Sequence, residues 1–242
     1  MKLRTLNVQA PSSFTRRLIA ESLPRFLHTH HGLRVVVWDM NPADEMLAQG
    51  ADAAICIGPI TNPDFVVNHI GTVRSITCAS PKFIDCRGVP PLPSDIRPDH
   101  CIAVLEAGAR RAREWRFRRK SESYAICPTA PLAFSNGEAA IAAAVRGGGY
   151  ARVLCIDAEQ QIAAGLLLSV LNEWNDDSQP VSMVHTRHAS KDVLAFRAFM
   201  ASIMPSHMTR HFALHHSPGR TGRTFSSEPI ALKQSIEPNV FF

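Results

Sequence analysis

Between Phe14 and Leu27 the apolar side chains fall at Phe14, Leu18, Ile19, Leu23, Phe26 and Leu27, with Arg16, Arg17 and Glu21 on the other side. That three-and-four spacing predicts an amphipathic helix. Pro24 either kinks it or marks a restart after a Ser22 cap. Ahead of it, Leu6 to Ala10 predicts a short strand, and Pro11-Ser12-Ser13 the turn into the helix. Leu33 to Trp38 is β-branched and predicts a second strand. Asn41-Pro42, with Asp44 and Glu45, opens a helix that Gly50 stops. Ala53 to Ile57 is an unbroken apolar run, as expected of a strand covered on both faces, and Gly58-Pro59 ends it. This alternation predicts a parallel sheet. Ligands sit beyond the carboxyl ends of such strands, so Gly58 is expected to border a cleft.

Further along, Arg74 to Ala79 predicts a strand, and Ser80-Pro81 opens a loop running through Pro90, Pro91, Pro93 and Pro98. The proline-rich passage suggests a change of lobe. Trp115 and Phe117 alternate with Arg116 and Arg118, as in a strand with one apolar face. Asn136-Gly137-Glu138 opens a helix over Ala139 to Val145 that Gly147-Gly148-Gly149 ends. Val153 to Ile156 and Val181 to His185 predict strands, Ile162 to Ala164 a short helix stopped by Gly165. Val193, Phe196, Phe199, Met200 and Ile203 share one face of a last helix. From Pro205 to Phe242 the composition turns to Ser, His, Arg, Pro and Gly, and a disordered tail is expected.

The 242 residues, 45% of them hydrophobic, suffice for one large domain or two small lobes. No apolar run nears the roughly 18 residues of a membrane span, and no signal peptide is evident, so a cytoplasmic chain without membrane contact is expected. The six cysteines form no CxxC pair and are expected as reduced, packed thiols. A net charge of +5 permits a nucleic-acid partner without requiring one.

The order of motifs carries more. Ala10-Pro11-Ser12-Ser13-Phe14, Leu23-Pro24-Arg25-Phe26-Leu27, Gly50 through Gly58-Pro59, Cys78-Ala79-Ser80-Pro81, Asn136-Gly137-Glu138 and Val193 to Phe199 together resemble the effector-binding domain of LysR-type transcriptional regulators, over residues 3 to 204. The resemblance implies an α/β, two-lobed fold like a type 2 periplasmic binding protein, with two crossing hinge strands. Lobe I would comprise residues 1–78 and 182–204, and lobe II residues 79–181. A small anionic effector would bind between them, with no cofactor, no metal and no catalysis. The family's DNA-reading winged helix-turn-helix is absent from this chain, implying a fragment or a truncated regulator that meets DNA only through another domain. A solute-binding protein of the same fold is the alternative.

By position, Ser12 and Ser13 match the polar turn at a helix start in the cleft, an anion site if it is not simply a cap. Met40, Asn41, Gly58 and Pro59 would line the same wall, and Asn136 would face them from the other lobe, unless it too only caps its helix. Cys78 and Leu154 complete the expected site. The family's Leu-Leu-Pro turn is replaced by Arg152-Val153-Leu154, so a wall carrying Arg152 or Asp157 implies a different effector or a lost one. The family's side-by-side pairing, as a homodimer or higher oligomer, would set Arg17, Glu21 and Leu27 of one copy against Glu138, Ile141 and Val145 of another, unless both helices bury their stripes within their own lobes.

Other signals favour structural roles. The basic residues from Arg110 to Lys120 fit a solvated strand face better than a nucleic-acid strip. His28, His30 and His31, and His211, His215 and His216, lack ligand-spaced partners and are expected in solvent. The glycine triplet follows a helix and cannot cradle a phosphate at a helix start. Cys78 and Cys155 fit buried structural thiols better than oxidation sensors. Asp157 and His185 are the only acid–base candidates for an enzyme, and no motif supports one.

Overall fold

The computed structural model describes residues 3–39, 50–106, 109–129, 131–175 and 178–215, with side chains up to residue 204. The expected helix over 42–49 lies outside the described residues, as do Met40, Asn41 and the chain from 216 onward. The chain starts with β1 (Arg4–Ala10), α1 (Ser12–Phe14), a π-helical turn Thr15–Ile19, α2 (Ala20–Thr29), β2 (Leu33–Asp39) and β3 (Ala53–Ile57). The predicted amphipathic helix is therefore real but uneven. Pro24 sits inside α2, and the wide turn before it absorbs the change of pitch. Gly50 is left-handed at φ +72°.

β4 (Phe65–Ala79) is 15 residues long, about 50 Å of extended chain. It pairs antiparallel with β11 (Ser178–Thr186) from Phe65 to Arg74, then with β9 (Tyr150–Leu154) from Ser75 to Cys78. β4 thus exchanges partners between Arg74 and Ser75. The prediction found only its second half. α3 (Pro81–Arg87) follows directly, where a loop was expected: Ser80 Oγ accepts from Phe83 N at 3.3 Å, and Pro81 takes the first helical position.

The second lobe continues with β5 (Cys101–Val104), the hairpin β6 (Trp115–Arg119) and β7 (Glu122–Ile126), β8 (Ala133–Phe134), α4 (Gly137–Val145) and β9. Next come α5 (Cys155–Ala163), β10 (Leu168–Val170), β11 and α6 (Lys191–His215). One expectation is corrected here. Cys155 and Ile156 belong to the first turn of α5 rather than to a strand. α6 runs on through Pro205 to His215, as α2 runs through Pro24, and the rest of the expected tail lies outside the described residues.

The main sheet runs β2-β1-β3-β11-β4-β9-β5-β8, with β10 on the side of β4. β1, β2 and β3 are parallel, so their carboxyl ends share one edge. Phe14, Leu18, Phe26, Phe196 and Met200 from lobe I and Ile102, Ile141 and Val153 from lobe II join one continuous core along it. The hairpin has a smaller core of Trp115, Phe117 and Trp174. Arg152 ties it to the sheet: its guanidinium lies 4.3 Å over Phe117 and donates to Thr77 Oγ1 (3.1 Å), Asn175 Oδ1 (2.9 Å) and the Arg116 carbonyl (2.5 Å).

Candidate functional site

The carboxyl end of β1 delivers Ser12 and Ser13 to the edge where the lobes meet. Ser12 is exposed; Ser13 is half-buried and donates its hydroxyl hydrogen to Oδ2 of Asp157 at 2.9 Å. Asp157 stands in the first turn of α5, where the positive end of the helix dipole favours a carboxylate, and only 4% of it is exposed. Its Oδ1 lies 3.8 Å from Arg16 Nη2, and its backbone carbonyl accepts from Arg17 Nη2 at 3.5 Å. Arg16 also forms an ion pair with Glu138, at the start of α4. Three elements thus converge: the turn after β1, the start of α4 and the start of α5.

Asn136 caps α4, its Oδ1 accepting from Ala139 N at 2.9 Å, so the capping role expected as one alternative is realised. The next residue, Gly137, closes on Asp157: a Cβ built there would lie 3.5 Å from Asp157 Oδ2. Ser13 and Gly137 therefore both lie against the same carboxylate of the chain itself, Asp157. Burial pushes the Asp157 carboxyl above its ordinary range. The Ser13 hydroxyl, Arg16 and Arg17 pull it back, and Glu138 pushes it further up.

The remaining expected residues divide. Gly58, buried and left-handed at φ +96°, donates its N–H to the Pro180 carbonyl at 2.9 Å at the end of β3, with Pro59 exposed beside it. Leu154, half-buried, holds the residue before α5. Cys78 is enclosed in the core, its thiol donating to the Ala151 carbonyl at 3.7 Å and pushed by burial to about 12. Glu21 is exposed and Leu27 and Val145 half-buried, but Ile141 lies in the core of its own lobe. Arg17 and Glu138, expected at a contact between copies, are engaged across the lobe junction of one copy.

Four of the six free cysteines are packed as expected, whereas Cys86 and Cys127 are exposed. His28 and His31 are exposed, but His30 stacks on Phe26 at 4.1 Å. His185 is buried, donating from Nδ1 to the Thr186 carbonyl at 2.8 Å and accepting at Nε2 from Asn68 at 3.3 Å, an arrangement that holds strands to α6 through Arg197. On the hairpin, Trp115 and Phe117 are buried while Arg116 and Arg118 face solvent. Among the described residues no cluster of His, Cys, Asp or Glu could hold a metal ion, and no helix is long and apolar enough to cross a membrane.

The chain is a two-lobed α/β domain with polar side chains gathered around Asp157. The LysR substrate binding domain model matches residues 2–205, and the chain belongs to that family, the effector-binding domains of transcriptional regulators. It is 26% identical over 213 residues to the HTH-type transcriptional regulator DmlR of Escherichia coli (strain K12), covering 88% of this chain and 69% of that protein. An HTH-type regulator of Haemophilus influenzae is 24% identical over 180 residues, 74% of this chain and 62% of that one. Among solved structures, the regulatory domain of CrgA from Neisseria meningitidis superposes with a TM-score of 0.73 at 18% identity, covering 84% of this chain and 99% of that one. Full-length AphB of Vibrio cholerae gives 0.73 at 18% identity over 84% of this chain and 69% of its own. These likenesses bear out the two-lobed fold. The relatives are regulators, so the solute-capture alternative is not favoured.

The sequence pattern sets Arg16 on the polar face and Arg17 at a contact between copies, whereas the structure turns both toward Asp157. A signal was available: two arginines lie within one helical turn of a Ser-Ser start, on the side facing whatever that start faces.

Proposed function

We propose that the junction of the two lobes is the effector site, that the effector is a small anion, and that it acts by changing how firmly the lobes are held together. The observation that carries this reading is the convergence of Ser13, Arg16 and Arg17 with the start of α4 on one locus between lobes. A hydroxyl donor, two guanidinium groups and a helix start are complementary to an acid group. Ser12, Gly58, Pro59 and Leu154 are the further positions proposed to line it. An effector shifts the lobes only through its differential affinity for the two arrangements, so one that touches both sides is suited to the task.

The regulator reading extends to the whole protein: a cytoplasmic homodimer or higher oligomer acts on DNA through a helix-turn-helix domain, without catalysis of its own. Glu21 and Leu27 on α2 and Val145 on α4 are the surface positions for pairing. The effector site is tested by thermal-shift screening of aromatic and aliphatic carboxylates against the wild type, Ser12→Ala and Ser13→Ala. A ligand that binds the folded state raises the melting temperature by mass action. The expected outcome is a response in the wild type and Ser12→Ala that Ser13→Ala loses; equal responses in all three proteins remove Ser13 from the site.

A further inference from the structure

The carboxylate at the junction is bonded in an unusual way. Asp157 Oδ2 accepts from Ser13, but Oδ1, buried and 3.8 Å from Arg16 Nη2, has no hydrogen-bond partner. Arg17, whose Nη2 donates to the Asp157 backbone carbonyl, has its Nε buried without a partner, as are Thr15 Oγ1 and Gln161 Oε1 on the same two elements. A purely structural ion pair at such burial ordinarily has both oxygens and all nearby donors satisfied. The two elements that meet at Ser13 and Asp157 thus both carry buried polar atoms without a hydrogen-bond partner. A group of somewhat different shape, able to reach further from α5 toward the arginines, would satisfy them.

We propose that Asp157 is a tethered stand-in for the effector's acid group: its carboxylate occupies the seat made by Ser13, Arg16, Arg17 and the start of α4, and a free carboxylate must displace it to bind. The proposal rests on the effector reading above and deepens it. A tethered group competes at high effective concentration, so the apparent affinity of a simple monocarboxylate is reduced by the fraction of time the seat is filled. Only a ligand with further contacts in the cleft competes well, which makes the tether a specificity filter. Displacement also releases the start of α5 from Ser13, which gives ligand binding a direct effect on the hold between lobes.

The test uses the full 242-residue chain, with acetate as the probe and chloride at matched ionic strength as the control, read by thermal melting. Asp157→Gly empties the seat. It is expected to be stabilised by acetate saturably, with an apparent Kd at least about tenfold below that of the wild type, and Asp157→Gly/Ser13→Ala is expected to lose the effect. Asp157→Ala also empties the seat with less cost to the helix than glycine; if Asp157→Gly does not fold, the same gain in Asp157→Ala, absent from the isosteric Asp157→Asn, supports the tether. Equal acetate responses in the wild type and the folded variants, or none in any of them, overturn it. Failure of the effector reading looks different. It is the absence of a Ser13-dependent response to the wider carboxylate panel in the wild type, whatever Asp157→Gly does with acetate.

Discussion

Ser13 donates its hydroxyl hydrogen to Asp157 Oδ2 at 2.9 Å, across 144 positions of chain and from one lobe to the other. A hydrogen bond to a charged acceptor contributes about 1.5–3 kcal/mol when it is shielded from water. Ser13→Ala is therefore expected to destabilise the domain by about 1.5 kcal/mol in urea unfolding. In a double-mutant cycle with Asp157→Ala, which removes the acceptor, the coupling should be about 1 kcal/mol. Strictly additive losses would mean that this bond does not join the lobes.

The same carboxylate sets a pH dependence. Burial raises its affinity for the proton in the folded chain above the ordinary value of 3.8, against the opposing pull of Ser13, Arg16 and Arg17 and with the push of Glu138. The folded state thus binds this proton more tightly than the unfolded state. Its contribution to stability is full below 3.8 and is lost as pH rises through the raised value. Asp157→Asn should remove that decline, so the difference in stability between variant and wild type grows with pH over this window. Parallel pH profiles would contradict the assignment.

Arg152 offers a separate test of the second lobe. Its guanidinium satisfies Thr77, Asn175 and the Arg116 carbonyl while stacked on Phe117. Arg152→Ala leaves these acceptors buried and a void beneath the hairpin, and is expected to cost about 3 kcal/mol. Amide exchange should rise first in β6 and β7. A cost under about 1 kcal/mol would show that the hairpin holds without it.

Thiol reactivity separates the cysteines. Burial pushes Cys56 to about 11, Cys78 and Cys101 to about 12, and Cys155 upward, whereas Cys86 and Cys127 are exposed. Alkylation of the native chain at pH 8 should label two thiols rapidly and the other four only on unfolding. Rapid labelling of Cys78 would mean that the β4–β9 region opens.

How much of this was legible beforehand depends on the range of the forces involved. β3 was read residue for residue because Ala53 to Ile57 is unbroken and glycine brackets it. The first half of β4 was missed because Asn68, His69, Gly71 and Thr72 interrupt its apolar pattern, and its pairing with β11 joins residues over a hundred positions apart. The start of α5 carried no signal: Leu154 has no capping side chain, and Cys155-Ile156 extends the apolar run of β9. α3 did carry one, in Ser80-Pro81, which the prolines beyond it obscured. At the site, the serine turn and the Asn136 cap are local and were found. That Ser13 and Gly137 both lie against Asp157 follows from how the lobes fold onto each other, which no local pattern encodes.

The most direct test of the shared site is hydrogen–deuterium exchange on the wild-type chain, with and without the carboxylate that raises its melting temperature most. The account predicts protection gained together at 12–19 in the first lobe and at 136–139 and 155–161 in the second. Protection confined to one lobe, or appearing only in the β6–β7 hairpin, would contradict it.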